Sequence, residues 1–367
     1  MRVRFLLSAT AAAMTLAVLA GCATTPSDSA TPSVTPVSTA PLAELDTLED
    51  PRGYQGGSTA VLQQTDITPV LEDPEQTLPV TVTSHDLSGA IPVTVSRAAR
   101  VIGLDIAGSI GATIAGLGFA DRLVGRDIST EFPAVADVPQ VTSSAHTINA
   151  EAVLRLRPDL VITDGSIGPI DVVLQLRDAG VTVVFVERDA SIDGIAVLAR
   201  QVAAALGAAA AGDLLADRVL QQIDEKVAEI AAIAPSDPDE QLRVLFLYLR
   251  GTAGVYYLFG EESGADMLIE SLGARDVAGE IGWDGLKPMT DEALIAANPD
   301  LILVMSSGLE SVGGIDGLVS DMPAIELTNA GANRRFVDMA DTDILGFGPR
   351  LPDVLDALAR AVYAPGQ

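Results

Sequence analysis

The sequence predicts an α/β fold made of two similar lobes that are joined by one long helix. From about residue 100 onwards, short apolar strands alternate with helical segments, which is typical of parallel sheets with helical crossovers. One unit of this alternation occurs twice, because residues 148–162 and 289–303 share Glu, Ala, Pro, Asp and Leu at a single offset. Between the copies, residues 195–234 are almost continuously helix-forming. At about 1.5 Å per residue, such a helix is longer than one small domain is wide. We therefore expect two pseudo-symmetric lobes bridged by this helix.

The first residues predict export and lipidation. Arg2 and Arg4 precede an apolar run, residues 5–20, that is too short for a comfortable membrane span. The run ends in Leu-Ala-Gly-Cys, and Cys22 is the only cysteine among the 367 residues. This ending resembles the lipobox of bacterial lipoproteins, in which the cysteine becomes the lipidated N-terminus. We expect residues 1–21 to be a signal peptide and Cys22 to carry the lipid anchor.

Two further segments precede the α/β region. Residues 22–76 are rich in Thr, Ser, Pro and acidic residues and poor in aromatic residues, which predicts a disordered tether. Residues 77–96 contain two runs of alternating β-branched residues, which predict a β-hairpin at the edge of the fold. The rest of the chain is expected to divide into an N-terminal lobe, a connecting helix and a C-terminal lobe, at residues 97–190, 191–234 and 235–367.

The composition limits the classes of function. The formal net charge of −28 at pH 7 disfavours nucleic acid and acidic lipid surfaces as partners. Carriage of free divalent metal ions is disfavoured because Zn and Mn sites want several His or Cys ligands, and the chain has only His85, His146 and Cys22. A hydrolase is disfavoured because no Gly-x-Ser-x-Gly motif is present. We expect a binding protein and not an enzyme.

The strand expected at residues 244–249 ends beside two polar side chains. Tyr248 and Arg250 are two positions apart, so both leave the same face of an extended chain. Buried strands of open α/β sheets end at ligand crevices. The alternative interpretation is a half-buried tyrosine next to an exposed arginine.

Together, the lipobox, the polar tether, the two lobes, the long helix and the repeat resemble a known family, the helical-backbone (class III) substrate-binding proteins of bacterial ABC importers. Those proteins bind siderophores, cobalamin, haem or metal ions between their lobes. The resemblance covers roughly residues 95–363. Within that family, three stretches are similar to the HmuT-type haem-binding lipoproteins, namely residues 124–130, 142–146 and 246–251.

The resemblance implies a haem site. In HmuT-type proteins a His and a Tyr ligate the haem iron from opposite faces, and an Arg supports the Tyr. The matching residues here are His146, Tyr248 and Arg250. Imidazole and phenolate are both known haem ligands in proteins. The expected cargo is haem b, as hemin, and it is a transported ligand rather than a catalytic cofactor.

Four more residues are candidates for the pocket, each with an alternative. Met305 ends the strand of the second repeat and lies either in the pocket wall or in the core. Tyr256 and Tyr257 follow the binding strand and either stack on a porphyrin face or pack within the protein. Arg126 could pair with a haem propionate, and an exposed salt bridge is the alternative.

Glu151 and Glu292 occupy equivalent positions in the two repeats. In related binding proteins, a Glu on each lobe docks into Arg pockets of the permease, so the resemblance implies permease docking. The alternative is that acids near a helix N-terminus are favoured by the helix dipole. The expected partners are hemin, an ABC permease dimer with its ATPase and the membrane through Cys22, and an upstream haem receptor is a further candidate. A ferric-siderophore or corrinoid binder at the same extracytoplasmic location is the alternative function.

Overall fold

The computed structural model describes residues 38–86, 89–251, 255–260, 263–283 and 285–367. The expected signal peptide, Cys22 and the first part of the tether lie outside these residues. No helix in the described part of the chain is both long and apolar enough to cross a membrane. The structure combines parallel sheets with surrounding helices, in agreement with the expected α/β class.

The strands form two sheets and a separate hairpin. In chain order their bounds are β1 (Ser58–Ala60), β2 (Val80–Asp86), β3 (Gly89–Val95), β4 (Val101–Leu104), β5 (Leu123–Arg126), β6 (Leu160–Thr163), β7 (Thr182–Phe185), β8 (Arg243–Arg250), β9 (Val255–Phe259), β10 (Arg275–Asp276), β11 (Leu286–Pro288), β12 (Leu301–Met305) and β13 (Phe336–Met339).

Helices cover the sheets and connect them. Their bounds are α1 (Ser109–Gly116), α2 (Ala150–Leu156), α3 (Ile170–Asp178), α4 (Ile192–Ala205), α5 (Ala209–Ala231), α6 (Ala265–Ser271), α7 (Val277–Glu280), α8 (Asp291–Ala297), α9 (Ser306–Ser311), α10 (Gly314–Asp321), α11 (Asn329–Ala332), α12 (Asp341–Ile344) and α13 (Leu351–Tyr363).

The N-terminal lobe contains a parallel sheet with the order β5-β4-β6-β7. Its central strands are apolar and buried along their whole length, as is typical of a parallel sheet covered on both faces. The antiparallel hairpin β2–β3 lies beside this sheet, and the backbone N–H of Phe185 in β7 donates to Ser84 Oγ of the hairpin at 2.8 Å.

The sheet of the C-terminal lobe has the order β1-β13-β12-β8-β9-β11, and β10 pairs with the beginning of β8. Strands β1, β13, β12 and β8 are parallel, whereas β9 runs antiparallel to β8 and β11 antiparallel to β9. Because β9 pairs only with residues 247–250 of β8, it extends the sheet at the carboxyl end of that strand.

The internal repeat corresponds to one structural unit that is built twice. Helices α2 and α8 both have seven residues and a polar N-cap, Asn149 accepting from Ala152 N–H at 3.0 Å and Thr290 doing the same for its helix. Both end at a left-handed residue, Arg157 (φ 49°) and Asn298 (φ 41°), and a buried parallel strand follows.

The Pro-Asp turn is also used in the same way in both copies. Asp159 accepts the backbone N–H of Arg100 at 3.1 Å, and Asp300 accepts that of Arg243 at 3.1 Å. Arg100 and Arg243 each stand at the start of the neighbouring strand, β4 and β8. The aspartate of each repeat therefore fixes the register of its lobe, which explains why the motif recurs.

The expectation of one uninterrupted helix over residues 191–234 is wrong. The segment forms α4 and α5, which pack against each other, and Gly207 ends α4 with φ +71°. A β-carbon at Gly207 would lie 2.6 Å from the carbonyl oxygen of Thr77, so a side chain is excluded there. The connecting helix is α5 alone, and its 23 residues span about 35 Å.

The expectation of a disordered tether is wrong for residues 38–76. Strand β1 adds to the edge of the C-terminal sheet by pairing with β13, and Leu42 and Leu62 are buried in the core. We call residues 38–77 the N-terminal strap. It anchors on the C-terminal lobe through these residues although its composition is polar.

The N-terminal strap continues onto the connecting helix and the N-terminal lobe. Arg218 in α5 donates to the carbonyl of Thr68 at 2.7 Å and to that of Pro69 at 3.1 Å. Val70 N–H then donates to the carbonyl of Gly116 at 2.7 Å, at the end of α1. The strap thus contacts both lobes and the helix between them.

A buried arginine holds the strap to the last helix. Arg335 is fully buried, and its guanidinium donates to Ser58 Oγ at 3.0 Å and to the carbonyls of Ala361 and Val362 at 3.2 and 2.7 Å. The guanidinium also lies 4.6 Å from the ring centroid of Tyr54. Burial lowers the pKa of Arg335 to about 10, so it is still a cation at neutral pH.

Candidate ligand-binding site

The carboxyl ends of the two sheets meet where the lobes contact each other. Arg350, just before α13, donates to the carbonyl of Glu131 at 3.3 Å, and Glu131 follows β5 of the other lobe. A β-carbon built on Gly264 would lie 3.1 Å from Ala190, which follows β7. Ligands of open α/β sheets bind outside the carboxyl ends of the strands. The region between these loops is therefore the candidate site.

Tyr248 lies near the end of β8 within a group of aromatic rings. Its ring centroid is 5.9 Å from that of Phe259 in an edge-to-face arrangement and 6.3 Å from that of Tyr257. Phe246 is 4.7 Å from Phe259 by the same measure. Tyr248 is half-buried. Tilted and edge-to-face contacts between aromatic rings are favourable, so these neighbours hold the Tyr248 ring in place.

The two tyrosines of β9 have different surroundings. Tyr257 pairs directly with Tyr248, so both side chains leave the same face of the sheet. Tyr256 leaves the opposite face and packs on a second core cluster that includes Leu247 and Leu249. The pocket role for Tyr256 is therefore corrected to packing, since it does not share a face with Tyr248.

Of the other C-terminal candidates, Met305 is 3% exposed and lies in the main core cluster, on which Tyr248 also packs. This burial corresponds to the core alternative for Met305. The backbone of Arg250 ends β8. Its side chain lies outside the described part of the structure.

His146 lies on a short turn that is attached to the end of β5. The turn is closed by Ser143, whose carbonyl accepts from His146 N–H at 3.0 Å and whose N–H donates to the carbonyl of Thr147 at 2.9 Å. Val141 N–H donates to the carbonyl of Arg126 at 2.8 Å, so the segment follows the last residue of the strand. His146 therefore lies on a loop between β5 and α2.

The backbone of His146 is unusual. Its φ of +56° lies in the left-handed region, which non-glycine residues enter uncommonly and in which His is enriched along with Asn and Asp. Such conformations cost of order 1 kcal/mol or more and cluster at functional sites. A half-buried histidine held in this way is a strong candidate for a ligand contact.

Arg126 does not form a salt bridge, which was the alternative to pairing with a propionate, with any of the described residues. Its Nη1 donates to the carbonyls of Asp127 and Thr130 at 3.3 and 3.2 Å, so the guanidinium stabilises the loop that follows its own strand. Both contacts are to neutral oxygens. The guanidinium lies at the carboxyl end of the N-terminal sheet, and no carboxylate of the described residues pairs with it.

Two buried carboxyl groups at this end of the sheet were not predicted from the sequence. Asp105 follows β4 and accepts the N–H groups of Ser109 and Ile110 at 2.8 and 3.1 Å, which caps α1. Asp127 follows β5 and accepts those of Asp105 and Thr130 at 3.0 and 2.6 Å. The sequence contains one indication of such a role, because each aspartate directly follows a buried strand.

Burial controls the ionisation of this pair. It raises the pKa of Asp127 to about 6, against hydrogen bonds that act in the other direction. Burial, and then the charges of Asp127 and Asp164, raise the pKa of Asp105 well above its usual range. The loops that they hold therefore depend on protonation as well as on hydrogen bonding.

Glu151 and Glu292 are not part of this region. Each is exposed at the second position of its helix, α2 or α8. Neither takes part in an ion pair with another described residue. Across the residues that the structure covers, no group of three or more His, Cys, Asp or Glu side chains could hold a metal ion.

Several known proteins are similar to this chain in sequence or in structure. The family model described as "Periplasmic binding protein" matches residues 107–342. The chain belongs to this family. Among solved structures of periplasmic binding proteins, the heme binding protein HmuT is 40% identical, with a TM-score of 0.79 over 86% of this chain and 99% of its own.

Two further proteins are similar over most of the chain. BhuT, solved in complex with two hemes, is 35% identical with a TM-score of 0.62, over 72% of this chain and 97% of its own. The uncharacterized ABC transporter substrate-binding lipoprotein YvrC of Bacillus subtilis is 26% identical over 251 residues, which are 67% of this chain and 75% of YvrC. Solved variants of HmuT replace a Tyr, an Arg two positions later and a His by Ala.

Proposed function

We propose that the protein is an extracytoplasmic lipoprotein that captures hemin between its lobes and delivers it to an ABC permease. One observation carries the proposal. The chain is similar to HmuT over nearly the whole of that protein, and a His, a Tyr and an Arg two positions after the Tyr occur here at strand ends or on an attached turn. These are the residue types replaced in the solved HmuT variants.

In this proposal His146 and Tyr248 are the axial ligands of the haem iron. The left-handed turn presents the His146 imidazole from the N-terminal lobe, and β8 presents the Tyr248 phenol from the C-terminal lobe. Imidazole and phenolate both bind haem iron. The Arg250 guanidinium, two positions along the strand, would stabilise the negative charge of the phenolate. Tyr257 shares the face of Tyr248 and would contact the porphyrin.

The proposed ligands are tested by titrating the mature protein with hemin and recording the Soret band. We expect His146→Ala and Tyr248→Phe each to shift the band and to weaken hemin binding at least tenfold, because each removes one bond to iron. Tyr248→Phe keeps the ring that packs on Phe259, so the effect is not one of lost packing.

Two matched variants complete the test. His85→Ala removes the other histidine, which lies 3.5 Å from Glu187 in the hairpin region, and Tyr256→Phe alters the tyrosine on the opposite face. Both are expected to bind hemin like the wild type. An unchanged spectrum in both ligand variants would contradict the assignment, and retention of a ferric siderophore or a corrinoid instead of hemin would favour that alternative cargo.

We further propose that Cys22 carries the lipid anchor and that Glu151 and Glu292 dock on the permease. The two glutamates support this because they are exposed, carry no described ion-pair partner and occupy the same position in both repeats. A permease dimer with twofold symmetry presents the same surface twice. Matching acids on matching helices suit such a partner.

Reversing both charges, Glu151→Arg with Glu292→Arg, is expected to reduce hemin uptake by cells at least tenfold. Binding of hemin by the purified variant should be unchanged, since both residues lie on the outer helices. Uptake is measured with labelled hemin in a strain that lacks the wild-type protein. Loss of hemin binding in the variant would assign the glutamates to the pocket instead.

A further inference from the structure

The N-terminal strap joins the two lobes a second time. Helix α5 is the covalent link between them. The strap begins on the C-terminal lobe, is bonded to α5 through Arg218, and continues onto the N-terminal lobe. It lies before residue 107, where the match to the periplasmic-binding-protein family begins, so it is an addition to the matched part of the chain.

At its C-lobe end the strap is a strand of the sheet. Residues 58–60 pair with β13 in parallel, and Ser58 Oγ donates to the carbonyl of Ala361 in α13 at 2.7 Å. Just before this strand, Gly56 N–H donates to the carbonyl of Asn333 at 2.9 Å. The buried Arg335 bonds to both the strap and α13, as described above. This attachment is non-covalent, but main-chain hydrogen bonds and a buried cation hold it in place.

At its N-lobe end the strap is bonded to the ends of two helices. Besides the bond from Val70 to the end of α1, Thr77 N–H donates to the carbonyl of Gly207 at 2.8 Å, just after α4. The side chain of Gln76 lies between them and accepts from Arg122 Nη1 at 2.6 Å. The strap is therefore fixed to the N-terminal lobe at several points.

A short segment lies between the two attachments. Residues 61–69 separate Ala60, the last residue of β1, from Val70. Fully extended, this segment spans at most about 35 Å. Its middle, residues 63–66, is exposed. The lobes cannot separate at this side of the molecule by more than the length of the segment allows, unless one attachment breaks.

We propose that the strap is a tie that restricts separation of the lobes and slows the release of hemin. This inference rests on the proposed function, because it concerns the ligand held between the lobes. A single link leaves two bodies free to rotate about it, whereas a second link at other points on both bodies restricts that rotation. Hemin with one axial ligand on each lobe leaves only after the lobes separate. A restriction on separation therefore lowers its rate of dissociation.

The test cuts the strap after the protein has folded. The combined substitutions Gln63→Ile, Gln64→Glu, Thr65→Gly and Asp66→Arg create the recognition sequence of the protease factor Xa without changing the length of the strap. All four positions are exposed, so the buried contacts on either side are kept. The complete mature protein is loaded with hemin and cut. Dissociation is then followed by transfer of hemin to excess apomyoglobin, and we expect cleavage to raise its rate at least threefold.

The matched control is a cut in the same strap that leaves the tie intact. The same four-residue sequence is inserted between Glu49 and Asp50, which are both exposed. The chain on both sides of this point is bonded to the C-terminal lobe, by Leu48 N–H to the carbonyl of Tyr363 at 2.8 Å and by β1 to β13. Cleavage here should leave the rate of hemin dissociation unchanged.

A second measurement does not depend on hemin. Spin labels on Gln175→Cys and Glu326→Cys, exposed in the N- and C-terminal lobes, report the distance between the lobes in a Cys22→Ser background. We expect the distance distribution of the hemin-free protein to widen after the cut at residues 63–66 and to stay the same after the control cut. Replacing residues 63–66 by about twelve Gly and Ser residues lengthens the tie without cutting it and should widen the distribution as well.

The outcomes separate this inference from the proposed function. If the cut at residues 63–66 changes neither the label distances nor the rate of hemin dissociation, the tie is overturned, while hemin binding by the uncut protein still supports the proposed function. Equal effects of the two cuts would also overturn it. If the uncut protein binds no hemin, the proposed function fails, and the label distances alone decide whether the strap restricts the lobes.

Discussion

Replacement of Gly118 by alanine is expected to destabilise the protein by about 2 to 5 kcal/mol. Gly118 follows α1 with φ +95°, a conformation that costs a residue with a β-carbon about 1–2 kcal/mol. A β-carbon there would also overlap the carbonyl oxygen of Leu71 in the N-terminal strap. Because the obstacle is backbone, the strap must move, which adds about 1–3 kcal/mol.

The matched control is Gly180→Ala. Gly180 has a similar φ of +86°, but nothing lies within 4 Å of a β-carbon built on it. Its variant should lose only about 1–2 kcal/mol, for the backbone conformation alone. Urea unfolding measures both free energies, and limited proteolysis should show earlier cleavage of the strap in Gly118→Ala only. Equal losses in the two variants would mean that the strap is not held at this point.

The free energy of unfolding is expected to fall by about 2 kcal/mol between pH 4 and pH 7 on account of Asp127. The folded state raises the pKa of Asp127 from the usual 3.8 to about 6, chiefly by burial. Between these two values the folded chain keeps a proton that the unfolded chain has lost. The stabilisation contributed by the proton on Asp127 is therefore largest below about pH 4, and it is lost as the pH rises through 6.

Asp127→Asn isolates this contribution because it removes the titrating group at nearly constant shape. The variant also alters the hydrogen bonds from Asp105 and Thr130, so the slope against pH carries the information and the absolute stability does not. We expect the wild type to lose about 2 kcal/mol relative to Asp127→Asn from pH 4 to pH 7 in urea unfolding. The exposed Asp137→Asn should run parallel to the wild type. Parallel curves for Asp127→Asn would contradict the prediction.

The repeat was the most reliable information in the sequence, because its residues act locally. Asn149 and Thr290 cap the helices that follow them directly, and Arg157 and Asn298 end those helices. The Pro-Asp pair then fixes the start of the adjacent strand. Interactions of this short range leave a pattern that can be recognised without knowing the fold.

The strap and the broken helix could not be predicted in this way. The burial of Leu42 and Leu62 depends on parts of the fold that lie far away along the chain, such as β13, which begins at Phe336. The overall composition of the strap is polar, and it does not reveal the few apolar residues that become buried. Gly207 was visible in the sequence, but its effect depends on Thr77, which occupies the space that a side chain would need.

The assignment of the tyrosines depended on strand register. Tyr256 and Tyr257 are adjacent, so in any strand one of them faces away from Tyr248. The pairing of Tyr257 with Tyr248 decides which, and a shift by one residue would exchange the two. The sequence places the two tyrosines after β8, but it predicts neither the strand that they form nor the alignment of that strand with β8.

The N-terminal strap shortens the part of the chain that could link a lipid anchor to the folded body. If Cys22 holds the lipid, only the residues up to Ser38 separate the bilayer from the folded body, and fully extended they span about 55 Å. A free chain running to residue 77 would allow a radius of about 190 Å by the same measure. The folded body would then stay close to the bilayer. It would reach a permease by lateral diffusion in the membrane and not by the movement of a long tether.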